Sequence, residues 1–482
     1  MPGCNYPIYR EELIALMSTH ELQRWRHRLE SEKGTPAYRL IADLIEEDVD
    51  SGRLQARDRL PTLRDLASAV GINYTTAARA YNEARARGLI DSHPGSGTFV
   101  KGRTVSVQPS RGDYEMTMNL MIEPSIPTLV EQVRDTAISV MAQHDLYSML
   151  RYQAFGGSPR SKEAALKWLD QRLSRAVPEQ VLVCPGIHSA LVGLLTKLVD
   201  PGKLVCVESL AYPGIKAIAA QLGLTLHSLE RDADGPLVRP FEEVCKQGNV
   251  AVLYLNPTIQ NPTTTTIPQS RREALADVAL RYSIPIIEDD AYTLLSEEPE
   301  TPIADLAPEL TYYIMGTAKC FGPGLRSAFV HAPSRRQAQR FAGAMRALYV
   351  MSSPLVDELV SSWILDGTAE AMRKAIRNEA IARLKLAEQY LGRQRIASAK
   401  GAFHLWLKLP KASNWNPSEL AVQLRGHGVS AVSSAAFSTD NNPPDALRLC
   451  FGGPISRDIW EEGLQHVADL IDQPAYLSSL TT

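Results

Sequence analysis

Five short apolar runs punctuate the middle of this chain, at residues 181–183, 204–207, 250–254, 284–287 and 312–315. Each is strand-sized, and the stretches between most of them carry helical periodicity. A strand–helix alternation of that kind folds as a mainly parallel sheet with helices on both faces, an α/β architecture. Such sheets hold their ligands beyond the carboxyl ends of the strands. The residues directly after each run are therefore where function is expected.

Those residues form a chemically coherent set. After the first run, Cys184-Pro185-Gly186-Ile187-His188 is a glycine turn opening a helix, whose first amides suit a phosphate. After the second, Tyr212 offers an aromatic face to a flat ring. The third leads into a loop with the amide of Asn261, and the fourth into Asp289 and Tyr292. The fifth leads to Gly316-Thr317-Ala318-Lys319, with Arg326 seven residues on. Singly these residues are ordinary, since a lysine after a strand is usually solvated. In this order they are the inventory that pyridoxal phosphate needs. A lysine amine of lowered pKa forms the Schiff base. A carboxylate keeps the pyridine nitrogen protonated. Amide and phenol donors hold the ring O3′, and an arginine with a helix N-terminus takes the phosphate.

The N-terminal region follows a different pattern. Leu60-Pro61-Thr62-Leu63-Arg64-Asp65 reads as a helix start, with Thr62 and Asp65 as a capping-box-like pair. Leu63, Leu66, Ala67 and Val70 follow at helical spacing, and Gly71 stops the helix. Asn73 caps a second helix, ended by Gly88. Its Ala77, Ala80, Tyr81 and Ala84 stripe suits close packing. Tyr74, Thr75, Thr76 and Arg79 stand near its start, where a recognition helix needs groove-facing donors. Residues 89–93 and 98–100, joined by Pro94-Gly95-Ser96-Gly97, read as a two-stranded wing with a tip able to approach DNA closely. Residues 36–52 are an amphipathic helix with an acidic end that packs under this module.

A chain of 482 residues is long enough for about three domains. Its net charge of −3 is unevenly spread: residues 51–103 hold nine Lys/Arg against four Asp/Glu. A basic module on an acidic body fits contact with nucleic acid by one end. The six cysteines show no CxxC or Cys/His ligand spacing, so reduced thiols and no metal site are expected. No apolar run approaches the roughly 18 residues of a membrane span, and a cytoplasmic protein without membrane contact is expected.

Residues 60–64 (Leu60-Pro61-x-x-Arg64) and Gly95-Ser96-Gly97-Thr98-Phe99 resemble the GntR-type winged helix, with Tyr74 where many relatives carry arginine. The chain from about 115 to 475 resembles a fold-type I, class I/II aminotransferase, and the whole resembles the MocR-type regulators that join the two. The resemblance implies a helical extension at 1–35, a winged helix at 36–102, a linker at 103–114 and a cofactor-binding, dimerising body at 115–475. That body would end in a smaller C-terminal α/β subdomain. Carried onto matching positions, Lys319 is the Schiff-base lysine and Asp289 pairs with the pyridine nitrogen. Asn261 and Tyr292 hold O3′, and Tyr212 stacks on the ring. Arg326 and the amides around Gly186, Ile187 and His188 take the phosphate. Arg448 clamps an α-carboxylate bidentately. Tyr152, five residues before Gly157, reaches the partner's phosphate in a homodimer. Relatives often have a hydroxyl three residues before the lysine; this chain has Gly316 there, with Thr317 as the substitute donor. They also favour a hydroxyl and an amide where this chain has Ile187-His188.

The implied function is transcription regulation at a double-stranded operator. The effector would be an amino compound forming an external aldimine, or pyridoxal phosphate itself. The alternative is an active aminotransferase with an accessory DNA-binding domain. Retention of Lys319, Asp289, Tyr292, Arg326 and Arg448 together argues against a bare dimerisation scaffold.

Overall fold

The computed structural model describes residues 19–32, 34–51, 53–54, 58–87, 89–93, 97–100, 119–143, 146–153, 155–410, 415–426, 429 and 431–472. The chain divides into two compact units, residues 1–111 and 112–482.

In the first unit, α1 (Thr19–Ser31), α2 (Ala37–Asp50), α3 (Leu63–Val70) and α4 (Tyr74–Ala86) surround a small sheet. Thr62 caps α3 by accepting from the Asp65 N–H, and Gly71 closes it in the left-handed conformation. Asn73 caps α4 by accepting from Thr76. The small-residue stripe of α4 is buried, as are Leu40, Ile41, Leu44 and Ile45 of α2. The sheet has a strand more than the expected wing. Strand β1 (Arg59–Leu60) pairs with β3 (Gly97–Val100), which also pairs with β2 (Ile90–His93). Leu60 is thus a strand residue, not part of the helix start. Gly88 and the wing tip, with Gly95 and Ser96, lie outside the described residues.

The described part of the expected extension, α1, packs against the winged-helix module. Trp25 of α1 is fully buried in the same apolar core as α2, α3 and α4. The contact centres on Asp48, in the acidic end of α2. Its carboxylate is fully buried and accepts from the Trp25 indole (2.8 Å), from Arg53 Nε (2.8 Å) and from Arg24. A buried carboxylate must be paired, and α1 supplies two of its three partners.

In the second unit, seven strands form one sheet. They are β4 (Val181–Cys184), β5 (Leu204–Glu208), β6 (Thr225–Leu229), β7 (Val250–Leu255), β8 (Ile286–Asp289), β9 (Thr311–Gly316) and β10 (Ala328–His331). Their order is β4-β10-β9-β8-β7-β5-β6, with β10 antiparallel to both neighbours and the other pairs parallel. The apolar runs anticipate five of these strands. They miss β6, an edge strand with a mixed Thr-Leu-His-Ser-Leu pattern, and the short β10. Helices α5 (Ile187–Leu198) and α6 (Pro213–Leu222) start just beyond β4 and β5. Among the described residues no helix is long and apolar enough to cross a membrane.

A second, antiparallel sheet has the order β11-β12-β14-β13: β11 (Ile396–Ala397), β12 (His404–Lys408), β13 (Val432–Ser433) and β14 (Ala446–Cys450). Leu405, Leu407, Leu447 and Leu449 join a core that includes Ile376, Leu384, Trp460 and Leu464 of the helices Thr368–Leu391 and Arg457–Asp472. Strand alternation turns His404 and Arg448 to the other face. Across this region runs a strap, Asn119–Ile122. Ile122 bridges to Gly453, and a Cβ on Gly452 would lie 1.8 Å from the Leu120 carbonyl oxygen.

Replacing Asp48 with alanine is expected to cost the first unit roughly 2 kcal/mol. That is less than for a fully buried ion pair, because Arg24 and Arg53 keep contact with water. Hydrogen exchange on the full chain should accelerate in α1 and α2 and stay unchanged in β7–β9.

Candidate functional site

At the carboxyl edge of the seven-stranded sheet lies a cavity of about 500 Å³. The chain brings Gly186, Ile187 and His188 to it after β4, Tyr212 after β5, Asn261 after β7 and Asp289 with Tyr292 at the end of β8. Lys319 follows β9, Arg326 precedes the returning β10, and Arg448 comes from β14. Two expected residues are not in this wall. Thr317 is fully buried and donates to the Ser327 carbonyl at 2.8 Å, so its hydroxyl is committed to the backbone. Tyr152 is 85% exposed on the surface of the chain.

The Lys319 ammonium donates to the backbone carbonyl of Asn119. Burial removes its hydration and lowers its pKa to about 8. Asp289 is pushed the opposite way, to about 7, by burial; a hydrogen bond from Tyr254 (2.9 Å) partly opposes the shift. The neighbouring acids Glu288 and Asp290 do not line the cavity. Glu288 accepts from the N–H groups of Ile303 and Ala304, and Asp290 from Tyr313. Asp289 alone of the three reaches the cavity, and its Oδ1 is buried without a hydrogen-bond partner among the described residues.

Asn119 organises the other side. Its amide donates to the Tyr292 hydroxyl and meets His404 Nδ1 at 3.0 Å. His404 Nε2 faces the Gln260 carbonyl at 3.3 Å, so the proton belongs on Nε2 and Nδ1 accepts. Burial, reinforced by Arg448, lowers the His404 pKa to about 3. Arg448 Nη1 donates to Asn261 Oδ1 at 2.9 Å, leaving the Asn261 amide as a donor, and the guanidinium lies over the Phe437 ring. Sequence reasoning misses Asn119, Tyr254 and His404, although strand alternation could have flagged His404.

Gly186 adopts φ +88°, and a Cβ there would approach Arg326 Nη2 to 3.3 Å. The guanidinium thus sits directly at the start of α5, where first-turn amides have no intrahelical partner. Burial and Arg326 both lower the pKa of His188, favouring the neutral ring. A Cβ on Gly316 would lie 2.4 Å from Ile187 Cδ1. Glycine at 316 and isoleucine at 187 are therefore one packing solution.

These residues fit pyridoxal phosphate. The unpartnered Asp289 oxygen suits a protonated pyridine nitrogen, the lowered Lys319 pKa suits an imine-forming amine, and Arg326 beside open amides suits a dianion.

In the first unit, Arg64 and Tyr74 are exposed, the latter by 54%. Thr75 donates to Asn73 Oδ1, and the Thr76 N–H is taken by the cap. The Arg79 guanidinium lies 4.3 Å from the centre of the Tyr38 ring. The start of α4 therefore presents Tyr74 outward, while part of the expected polar set is used locally.

The geometry defines a fold-type I cofactor body on a chain with a winged helix. The family profile "Aminotransferase class I and II" matches residues 123–465, and "Bacterial regulatory proteins, gntR family" matches residues 37–100. The chain belongs to the aminotransferase class I and II family, in the MocR-type architecture that adds a GntR domain. The cofactor of this body is pyridoxal phosphate. The chain is 28% identical to the HTH-type transcriptional regulator YdeF of Bacillus subtilis, over 91% of this chain and 95% of that protein. It is 26% identical to the probable rhizopine catabolism regulatory protein MocR of Rhizobium meliloti, over 63% and 67%. Its fold matches LysN, the α-aminoadipate aminotransferase of Thermus thermophilus, with a TM-score of 0.67 at 22% identity, over 83% of this chain and 99% of that one.

Lys319 is expected to be labelled by pyridoxal phosphate and borohydride with a pH inflection near 8. About a tenth of such an amine is neutral at pH 7, against less than about one part in a thousand for an ordinary lysine. Peptide mass spectrometry across pH checks both the site and the inflection. An inflection above pH 10 would mean a solvated lysine.

Proposed function

We propose that this chain is a DNA-binding transcription regulator that uses its pyridoxal phosphate site to sense an amino compound. The carrying observation is the cavity in which Lys319, Asp289, Tyr292 and Arg326 converge, on a chain whose other unit is a winged helix. Bound there, pyridoxal phosphate supplies an aldehyde that condenses reversibly with primary amines. Lys319 holds it through its amine, Asp289 keeps the ring nitrogen protonated, and Asn261 and Tyr292 orient the ring from the O3′ side. Tyr212 covers the ring face, and Arg326 with the amides of Ile187 and His188 binds the phosphate. Arg448 recognises a carboxylate on the effector. Regulation requires that the effector bind two conformations of the chain unequally.

The active species is a homodimer in this reading. Tyr147, Leu150, Tyr152 and Val350 are more than half exposed, and the Gln153 N–H lies 3.2 Å from Met351 Sδ, so the segments that carry Tyr152 and Val350 touch. Covered by a second copy, this surface places Tyr152 where it can reach the partner's site. Two winged helices then read two half-sites, with Arg64, Tyr74 and the wing at the DNA. The division of labour among the extension, winged helix, linker and body follows the same reading, with α1 counted into the winged-helix unit.

A second reading, turnover of an amino acid by transamination, is favoured by Arg448 and by the lowered pKa of Lys319. Multiple turnovers with common amino acids would support it.

Fluorescence anisotropy on DNA from the region upstream of the chain's own gene tests the regulator. Arg64→Ala is expected to weaken binding about tenfold and to reduce its salt dependence. Lys319→Ala should abolish the response of DNA binding to amines. Intact protein that does not bind this DNA would overturn the regulator reading.

A further inference from the structure

A dianionic phosphate needs several donors, and this cavity has fewer than its outline suggests. Arg326 and the first amides of α5 are in place. The Gly186 N–H is spent on the Cys184 carbonyl at 2.7 Å. Position 316 has no side chain, and Ile187 crowds the space a Cβ there would occupy. The Thr317 hydroxyl is spent on the Ser327 carbonyl.

Ser327 itself is different. It follows Arg326 directly, borders the cavity and is 97% buried, at 3% relative exposure. Its hydroxyl is completely covered and has no hydrogen-bond partner among the described residues. A buried hydroxyl without a partner costs free energy unless something else satisfies it. Its position is also firmly held. The Thr317 N–H and hydroxyl both donate to the Ser327 carbonyl, at 3.2 and 2.8 Å, and Gly316 pairs with Ala328 across β9 and β10. Ser327 therefore sits opposite Thr317 at the entry to β10, one residue before the partner of Gly316 and next to Arg326 at this end of the cavity.

We propose that Ser327 is a phosphate-binding residue of the cofactor site, supplying a hydroxyl from the residue that leads into β10, where position 316 has none. Thr317 is then a positioning residue, acting through the Ser327 backbone. This inference rests on the cofactor reading above and adds a donor to it.

The test compares Ser327→Thr with Ser327→Val in the full-length protein. The two side chains share a shape and differ in the hydroxyl. Affinity for pyridoxal 5′-phosphate and for pyridoxal, which lacks the phosphate, is read from the visible absorbance of the loaded protein. The phosphorus NMR resonance of bound pyridoxal 5′-phosphate is the second readout. The threonine variant is expected to keep wild-type affinity for the phosphate ester. The valine variant should lose it by on the order of tenfold, shift the phosphorus resonance, and bind pyridoxal as the threonine variant does. Equal affinities of both variants for the phosphate ester would overturn the assignment. So would a valine loss that is equal for ester and pyridoxal, since that would mark a packing role. Wild-type protein that takes up neither compound would overturn the cofactor reading itself, and Ser327 with it.

Discussion

The cavity is organised around the burial of one amine. Lys319 is withdrawn from water at the end of β9, and an ammonium in that position is costly unless something replaces its hydration. The Asn119 carbonyl supplies the hydrogen bond, and the Asp289 charge supplies a weaker long-range attraction. Neither fully offsets desolvation, so the pKa falls toward neutrality. The carbonyl is available only because the strap crosses Gly452, where any side chain would collide with the Leu120 oxygen. The sheet, the strap and the glycine pair thus serve a single electrostatic requirement.

Other polar groups on the same wall are kept out of the titration. Burial holds His404 near 3 and pushes Tyr292 well above 10, so neither changes charge around neutral pH. Their hydrogen bonds with Asn119 are between neutral partners and persist as pH varies. Asp289 and Lys319, shifted to about 7 and about 8, are left as the groups whose protonation sets the charge of the cavity near neutrality. A site built this way responds to a cation or anion entering it without rearranging its own hydrogen-bond frame.

How much of this was legible in sequence follows from where the chemistry sits. Gly186, Tyr212, Asn261, Asp289 and Lys319 each follow a strand that announces itself as an apolar run, so the strand-end rule finds them in order. Arg326 was found by spacing from Lys319, but its neighbour Ser327 was not. Its role depends on β10 returning antiparallel beside β9, and four residues of Ala-Phe-Val-His carry too little pattern to predict that. Asn119 and His404 come from segments 285 residues apart, and only the folded chain joins them. In the first unit the caps Thr62 and Asn73 were readable because they act within one turn. Asp48 was not, because its partners Arg24 and Trp25 lie in a separate helix with no motif of its own.

The departures from the family pattern show why position-by-position reading underestimates this site. Taken singly, glycine at 316 removes a donor, isoleucine at 187 removes another, and threonine at 317 looks like the repair. Packing gives a different account. Ile187 occupies the volume beside 316, which couples the two positions: a side chain at 316 requires Ile187 to shift or become smaller. Thr317 points its hydroxyl at the backbone of the neighbouring strand, and through it fixes Ser327. The chain thus keeps a hydroxyl at this end of the cavity, on the residue leading into β10, while the volume stays filled. Substitutions that conserve the sum of donors and the packed volume are tolerated where single losses are not. Residues at one end of a cavity therefore have to be weighed as a set across strands, because the phosphate they serve responds to the donors that reach it, whichever strand supplies them.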